Sequence, residues 1–486
     1  MSKNAANAVP NIALYNLRTT AGLSQQDVAD RINELAGSEG RKSLGVTANT
    51  VSRWERGVVT PAPFYRRLLA ELFAVSVDDL GFVLHRDEST PVTRPASGYL
   101  ADIDVTVDPR VAHSQEAWRS TRQALNANRA ELTQLAARLY DRAVRLDDTG
   151  LIAPPDWLPA EPIELGAIEL EYQVNANDPE LNGTEPETDH VRPMATLVRR
   201  YPRYTQAIRD LAHPKLFENR ACWRMTDLSW NHDKGKMTFG PTMYFAGVDI
   251  YEALAHEMAY VHLAEDGSLK ATQPMMRDVP FRRLISDPFD FGRRPVLPSI
   301  DTLTIRRGSD GASFVLHRRD PRSVAVAGGM LHVIPSGVFQ PSSVLPAAMD
   351  ADFDLWRNMM REYSEELLGY SEHDGDGQPV RYDQEPFRSL DQARQDGRAT
   401  VWCLGVALDA LTLVGEILTV VVFDADVFDD MASDFVDVND EGSVVNTRVP
   451  FTEDGVRGIL ESRRIAPAGA GCIHLAWQHR DRILSS

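Results

Sequence analysis

The strongest constraint on this chain is a pair of capped helical stretches near its start. Ser24 precedes Gln25 at an N-cap position and opens the run DVADRINEL, and Thr47 caps a second stretch, ANTVSRWERG, that stops at Gly57. A third, APFYRRLLAELFAVS, presents Phe64, Leu68, Leu72 and Phe73 at helical spacing. Four or five short helices with such apolar stripes can close one small core. The pattern runs from Ile12 to Phe82 and then breaks on GFVLHRDESTPVTRPASG, where Pro91, Pro95, Ser97 and Gly98 read as a linker. Residues 1–84 are therefore expected to form an all-α domain and residues 85–110 a linker.

With 486 residues the chain is too long for one core, and two or three domains are expected. Residues 111–160 open on a long helical pattern from about Val111 to Leu146. Within it Trp118, Leu125, Leu132, Leu139 and Leu146 recur every seven residues, a coiled-coil spacing. The companion positions Thr121, Asn128, Leu135 and Arg142 are mostly polar, which favours packing inside the chain over a symmetric dimer seam. After the proline-punctuated LIAPPDWLPAEP, residues 161–299 mix short strands with helices and show no repeat. Residues 300–486 alternate strands with helices. DTLTIRRG and ASFVLHRR flank Gly308-Ser309-Asp310-Gly311 and predict a hairpin. MLHVIPSGVF, TVWCLGVAL and GEILTVVVFDAD read as further strands, and helices are predicted at Asp350 to Leu368, Glu453 to Ser462 and Ala470 to Leu484. The C-terminal region is thus expected to be α+β.

Net charge is −19, which at first sight speaks against nucleic acid. Its distribution matters more: Met1 to Leu84 holds nine Lys+Arg against eight Asp+Glu, so this segment is +1 and the remainder −20. A near-neutral reader on an acidic body is compatible with DNA binding, with weak long-range steering to phosphate. No run of eighteen apolar residues predicts a membrane span, and the start MSKNAANAVPNIALYNLRTT lacks the pattern of a secretory signal. Cys222, Cys403 and Cys472 lie far apart and form no CxxC pair. Neither a disulfide framework nor a zinc site is expected, and the natural compartment is the cytoplasm.

The segment from residue 12 to residue 82 resembles the Cro/repressor-type helix-turn-helix family, the XRE family of bacterial transcriptional regulators. LRTTAGLSQQDVA is similar to the family's first helix and the opening of its second, VTANTVSRWERG to its recognition helix, and VSVDDLGF to its closing helix. The resemblance implies double-stranded operator DNA as partner. Gln25 and Gln26 would approach phosphate, and Thr47, Ala48, Asn49, Thr50, Ser52 and Arg53 would lie on the DNA side of the recognition helix. Asn and Arg can each make bidentate purine contacts. Val51 and Trp54 are expected to face the core, with Arg18 and Glu55 as a structural ion pair. A homodimer would read two half-sites roughly 34 Å apart. The segment AGSEGRKSLG is longer than the family's tight turn and offers Arg41 and Lys42 to the DNA backbone.

The second constellation lies in DADFDLWRNMMREYSEELLG. At about 100° per residue, Phe353, Trp356, Met360, Tyr363 and Leu367 share an apolar stripe, and Glu362, Glu365 and Glu366 fall opposite. Such a cluster is either a solvated helix face or a set of hard oxygen donors suited to Mg²⁺ and a pyrophosphate. REYSEE resembles the core of the Nudix box, and HVIPSGVFQP the strand and glycine loop that precede it. The resemblance covers about residues 300 to 486. It implies a Nudix-like α/β/α sandwich, with Glu362, Glu365 and Glu366 as ligands of Mg²⁺ and a nucleoside-diphosphate derivative, such as one like ADP-ribose, as ligand. The frame departs from the family: with Gly337 as the box glycine, the first glutamate is replaced by Ser343. About ten extra residues precede Arg361, and the closing glycine, Gly369, comes one place late. Asp352 and Asp354 are candidate substitutes for the missing base.

The expected architecture is therefore multidomain: an all-α helix-turn-helix domain, a helical linker, and an α+β C-terminal region with a Nudix-like sandwich. Three readings follow. The chain is a ligand-responsive transcription factor, an active Mg²⁺-dependent Nudix pyrophosphatase carried by a DNA-binding head, or a repressor whose C-terminal region only oligomerises. Other signals are weaker. EALAHEMAYVH lacks HExxH because Tyr260 stands at the second histidine position and His262 is out of register. GAGC lacks the lysine of a phosphate loop. EHDGDG, from Glu372 to Gly377, lacks the rest of a calcium loop. Asn219, Arg220, Trp223 and Trp230 either line a pocket or fill a core.

Overall fold

The computed structural model describes residues 11–20, 23–38, 46–56, 61, 63–73, 75, 80, 82, 108–214, 217–264, 266–319, 330–370, 380–433, 435, 442–462 and 464–485. Arg41 and Lys42, the stop at Gly57, the side chain of Phe64, residues 85–107 of the expected linker and the loop from Glu372 to Gly377 lie outside them. The chain divides into two units, Met1–Asp104 and Val105–Ser486, each with its own hydrophobic core.

The first unit is helical: α1 (Ile12–Thr20), α2 (Gln25–Ser38), α3 (Ala48–Glu55) and α4 (Pro63–Phe73). Its core holds Leu14, Val28, Ile32, Val51, Trp54, Leu68 and Leu69, with Leu72 and Phe73 packed against it. Helices of eight to fourteen residues are marginal alone, so this shared core is what stabilises them. Thr47 forms a capping box on α3: its hydroxyl accepts from the Thr50 N–H, and the Thr50 hydroxyl accepts from the Thr47 N–H.

The second unit opens with two helices, α5 (Pro109–Ala127) and α6 (Arg129–Ala137), where one long helix to Leu146 is expected from the periodicity. Asn128 leaves helical geometry (φ −121°, ψ 22°) and its amide donates to the carbonyls of Ala124 and Gly267, which breaks the run. Trp118, Leu125 and Leu132 are buried in the unit's own core, and Leu139 and Leu146 pack against it after the helices have ended, so the heptad stripe is an internal surface.

A small sheet follows, made of β1 (Ile168–Tyr172), β2 (Ala221–Asn231) and β3 (Lys234–Met243). β3 lies between the other two, parallel to β1 and antiparallel to β2. The chain then enters α7 (Tyr244–His262), in which every residue from Gly247 to Ala259 is buried. A helix covered on all sides must satisfy its polar groups inside the protein. His256 Nδ1 lies 2.8 Å from the Tyr204 hydroxyl and the ring stacks on Trp118, while the Glu257 carboxylate accepts the backbone N–H groups of Phe281 and Arg282. The residues that resemble a zinc-protease helix thus act as internal scaffold.

The large sheet is mixed. Its long strands are β4 (Pro298–Gly308), β5 (Gly311–Arg319), β8 (Ala399–Asp409) and β9 (Gly415–Asp424), with the shorter β6 (Leu331–His332) and β7 (Ser336–Val338) and the edge strand β10 (Gly442–Pro450). The order β8-β9-β4-β5-β6 places the parallel pair β9/β4 at the centre, in register from Gly415↔Pro298 to Asp424↔Arg307. The β4–β5 hairpin forms at the predicted turn, with Gly308 opposite Gly311. β9 is buried from Gly415 to Phe423, as a strand covered on both faces requires. Between β7 and β8 the chain forms α8 (Leu355–Glu362), which runs into a π turn, Tyr363–Leu367. The helix α9 (Pro467–Gln478) packs on β4, β8 and β9. The second unit is therefore a region of mixed α/β structure around a single core.

Candidate functional site

β4, β7 and α8 form one wall of a cavity of about 370 Å³ in the second unit, and α5, α6 and α7 contribute another. β7 pairs antiparallel with β4, setting Gly337 opposite Ile300. Glu362, the last residue of α8, lays its carboxylate over Gly337. A Cβ at that glycine would fall within 2.5 Å of all three carboxyl atoms, so only glycine leaves this space. Glu365 also lines the cavity.

Glu366 departs from the expected helical face. A π turn has more residues per turn than an α-helix, so positions after Glu362 rotate away from the 100° projection. Glu366 is buried, and its Oε2 accepts the Ser336 N–H at 3.1 Å. The Ser336 hydroxyl donates to Asp301 Oδ1 at 2.8 Å, and His332 Nε2 lies 3.6 Å from the same oxygen. Asp301 is 1% exposed, and its Oδ2 has no hydrogen-bond partner among the described residues. Trp356, Met360, Tyr363 and Leu367 form the buried stripe the sequence predicts, with Tyr363 hydrogen-bonded to Thr304 at 2.6 Å. Hard oxygen donors of this kind have the chemistry for Mg²⁺. They do not converge as a ready ligand set: among the described residues, no three His, Cys, Asp or Glu side chains are grouped to hold a metal ion.

The two candidate bases are occupied. Asp352 Oδ2 pairs with Arg361 at 3.2 Å and accepts the N–H and hydroxyl of Ser342, and Oδ1 accepts the Tyr382 hydroxyl at 2.6 Å. Asp354 caps α8 by accepting the Arg357 N–H. Both carboxylates build the turn that precedes α8.

The opposite wall carries residues that belong to no motif of the sequence. Arg122 on α5 and Arg129 on α6 converge on Glu252 of α7, at 2.5 and 2.8 Å. Burial pushes the Glu252 carboxyl up, but Arg129 and Arg122 outweigh it and hold it down at about 2. Burial holds the neighbouring His256 in its neutral form, at about 3. A signal was present: Arg122 and Arg129 each stand four residues after a core position, Trp118 and Leu125, and so lie on the buried face. Of the four middle-region residues, Arg220 lines the cavity. Trp223 is core against Phe339, Trp230 packs over Gly235, and the Asn219 side chain accepts the Phe245 N–H.

In the first unit, α3 buries Val51, Trp54 and Glu55 and leaves Ala48, Asn49, Thr50, Ser52 and Arg53 half-buried. The Arg18–Glu55 ion pair is present at 2.5 Å. Gln25 belongs to the same network, donating to Glu55 Oε2 at 2.7 Å, and Gln26 donates to Asp30. Thr47 and Thr50 direct their hydroxyls at the helix cap. The side chains of Asn49, Ser52 and Arg53 have no hydrogen-bond partner among the described residues and are polar groups of α3 open to a new contact.

Residues 14–82 match the family model of the SP15 N-terminal domain, so the helical unit is similar to that domain. The chain matches no curated protein. Among the described residues, no helix is long and apolar enough to cross a membrane.

Proposed function

We propose that this chain is a DNA-binding transcriptional regulator of the helix-turn-helix kind whose C-terminal region, a Nudix-like sandwich, binds a nucleoside-diphosphate derivative. The observation that carries the reading is α3: a helix capped by Thr47, fixed from beneath by Val51, Trp54 and Glu55, with Asn49 and Arg53 unengaged. Those two side chains can read purine edges in the major groove. Gln25 and Thr50 hold the reader's shape, so direct contact falls mainly to Asn49, Ser52 and Arg53.

For the C-terminal region the support is the cavity, with Glu362 packed over Gly337 and Glu365 facing the same space. Of the three glutamates expected to hold Mg²⁺, Glu362 and Glu365 line the cavity and would need the ligand's own phosphate oxygens to complete a site, whereas Glu366 is taken by the Ser336 N–H. Engagement of Asp352 and Asp354 elsewhere favours binding over hydrolysis. The ligand acts on DNA binding to the extent that it binds one state of the chain more tightly than another.

The test is selection of a preferred duplex from a random DNA pool by the full chain, then titration of that duplex with Asn49→Ala and Arg53→Ala. Each substitution removes about 1–3 kcal/mol of discrimination, and the preference at the contacted base pairs should relax. Unchanged affinity together with unchanged preference in both variants sinks the assignment of α3.

A further inference from the structure

Arg122 and Arg129 both line the cavity, with side chains only 9% and 6% exposed. They share one carboxylate, Glu252. Arg129 gives both of its bonds to it through Nη2, at 2.8 and 3.0 Å, and Arg122 gives its bond through Nη1. Among the described residues, Nη1 of Arg129 and Nη2 of Arg122 have no hydrogen-bond partner. Two guanidinium groups kept this far from water and sharing one carboxylate keep donors that a ligand can meet. Such donors make short, strong bonds to carboxylate or phosphate oxygens, and the planar fork suits both.

One further carboxylate, Asp409, borders this end of the cavity. Its Oδ1 accepts three bonds from its own turn, from the Leu411 N–H and from the N–H and hydroxyl of Thr412. Burial raises its pKa, against the opposing pull of the Thr412 and Leu411 hydrogen bonds and of Arg129. The carboxylates Glu362 and Glu365 line the cavity from the other wall, together with Arg361.

We infer that Arg122 and Arg129 form an anion subsite that binds a second, bare anionic group of the cavity's ligand, a phosphate or a carboxylate. This rests on the reading that the cavity holds a ligand. It narrows that ligand to a molecule with two separated anionic groups: one approached through a cation at Glu362 and Glu365, the other held directly by arginine. The subsite is assembled by α5, α6 and α7, so the segment before β4 takes part in recognition.

The probes are inorganic phosphate and succinate, titrated separately into the full chain by calorimetry in EDTA, which separates phosphate from carboxylate recognition. One saturable site is expected for one of the two, and Arg129→Gln should weaken it about tenfold or more by removing a charge-assisted donor. Because Arg129→Gln leaves Glu252 with a single arginine, Ala130→Phe is the second variant. It fills the cavity beside the pair from α6, and binding should vanish while the unfolding midpoint stays in place. Binding of neither anion, or binding that survives both substitutions, overturns the subsite. A third titration, Mg²⁺ with pyrophosphate, separates the two ideas. Affinity that falls in Glu365→Gln and is untouched in Arg129→Gln would keep the nucleotide reading whichever way the phosphate and succinate titrations fall, and those two titrations alone decide the arginine subsite.

Discussion

Replacing Gly337 by alanine should remove ligand binding while leaving the fold nearly as stable as before. The backbone at Gly337 is ordinary strand, in register with Ile300, so the substitution introduces no strained φ. Its cost is steric. The new Cβ would stand within 2.5 Å of the Glu362 carboxyl atoms, where ordinary contact needs about 3.5 Å or more, so the carboxylate must retreat by about 1 Å. Overpacking against a rigid neighbour costs about 1–3 kcal/mol. Here the neighbour is the far end of a flexible side chain facing a cavity, and the cost falls to that of an off-rotamer torsion, about 1 kcal/mol. A donor displaced by about 1 Å from its working position loses far more than that in function, on the order of tenfold to a hundredfold. Urea unfolding of the full chain, read on the C-terminal transition, measures the first effect, and calorimetry with Mg²⁺ and pyrophosphate the second. A stability loss above about 3 kcal/mol, the size of a core cavity, would mean that Glu362 is pinned as a structural group. Unchanged binding would mean that its carboxylate does not meet the ligand.

Two further outcomes follow from buried charge. His256 is neutral in the fold, at about 3, and titrates near 6.5 when unfolded, so below pH 6.5 the unfolded chain takes the proton first. Stability should fall by about 1.4 kcal/mol per pH unit as pH drops from 6.5 towards 3; Glu252, held at about 2, adds to the loss below its ordinary 4.5. Denaturant titrations at pH 7, 5.5 and 4.5 should show this slope, reduced in His256→Gln; an identical slope in the variant refutes the assignment. In the first unit, Arg18→Met should destabilise the helical core by about 3 kcal/mol, because Glu55 is then left buried with Gln25 alone. A change under about 0.5 kcal/mol in thermal unfolding of that unit would show the pair to be dispensable.

Local rules made much of this legible. The Thr47 cap, the inward Val51 and Trp54 and the Arg18–Glu55 pair follow from one helix and its spacing. The Gly308–Gly311 turn follows from hairpin chemistry. What escaped were features that depend on distant partners. Helical projection at 100° placed Glu366 outside, but the π turn carried it under Ser336. The heptad count followed apolar residues on α5 and α6 and overlooked the two arginines on the same face, whose burial is tolerable only because Glu252 comes from another helix. The stop at Asn128 escaped for a similar reason, since its amide also bonds the carbonyl of Gly267, far along the chain. The sheet's centre was also hidden, because no local pattern announces that β4 and β9 are parallel neighbours.

That central pair also fixes an order of assembly. Thr302 and Thr419 hydrogen-bond across β4 and β9 although they stand 117 positions apart, so the middle of the sheet closes only after a long stretch of chain has been made. During synthesis β4 waits with one edge bare, a surface on which strands of other chains can pair. The helical unit needs nothing beyond about residue 82 for its core and can fold while the rest is still on the ribosome. A chain cut short between about residue 82 and Gly415 would therefore carry a finished N-terminal unit joined to a body without its central strand.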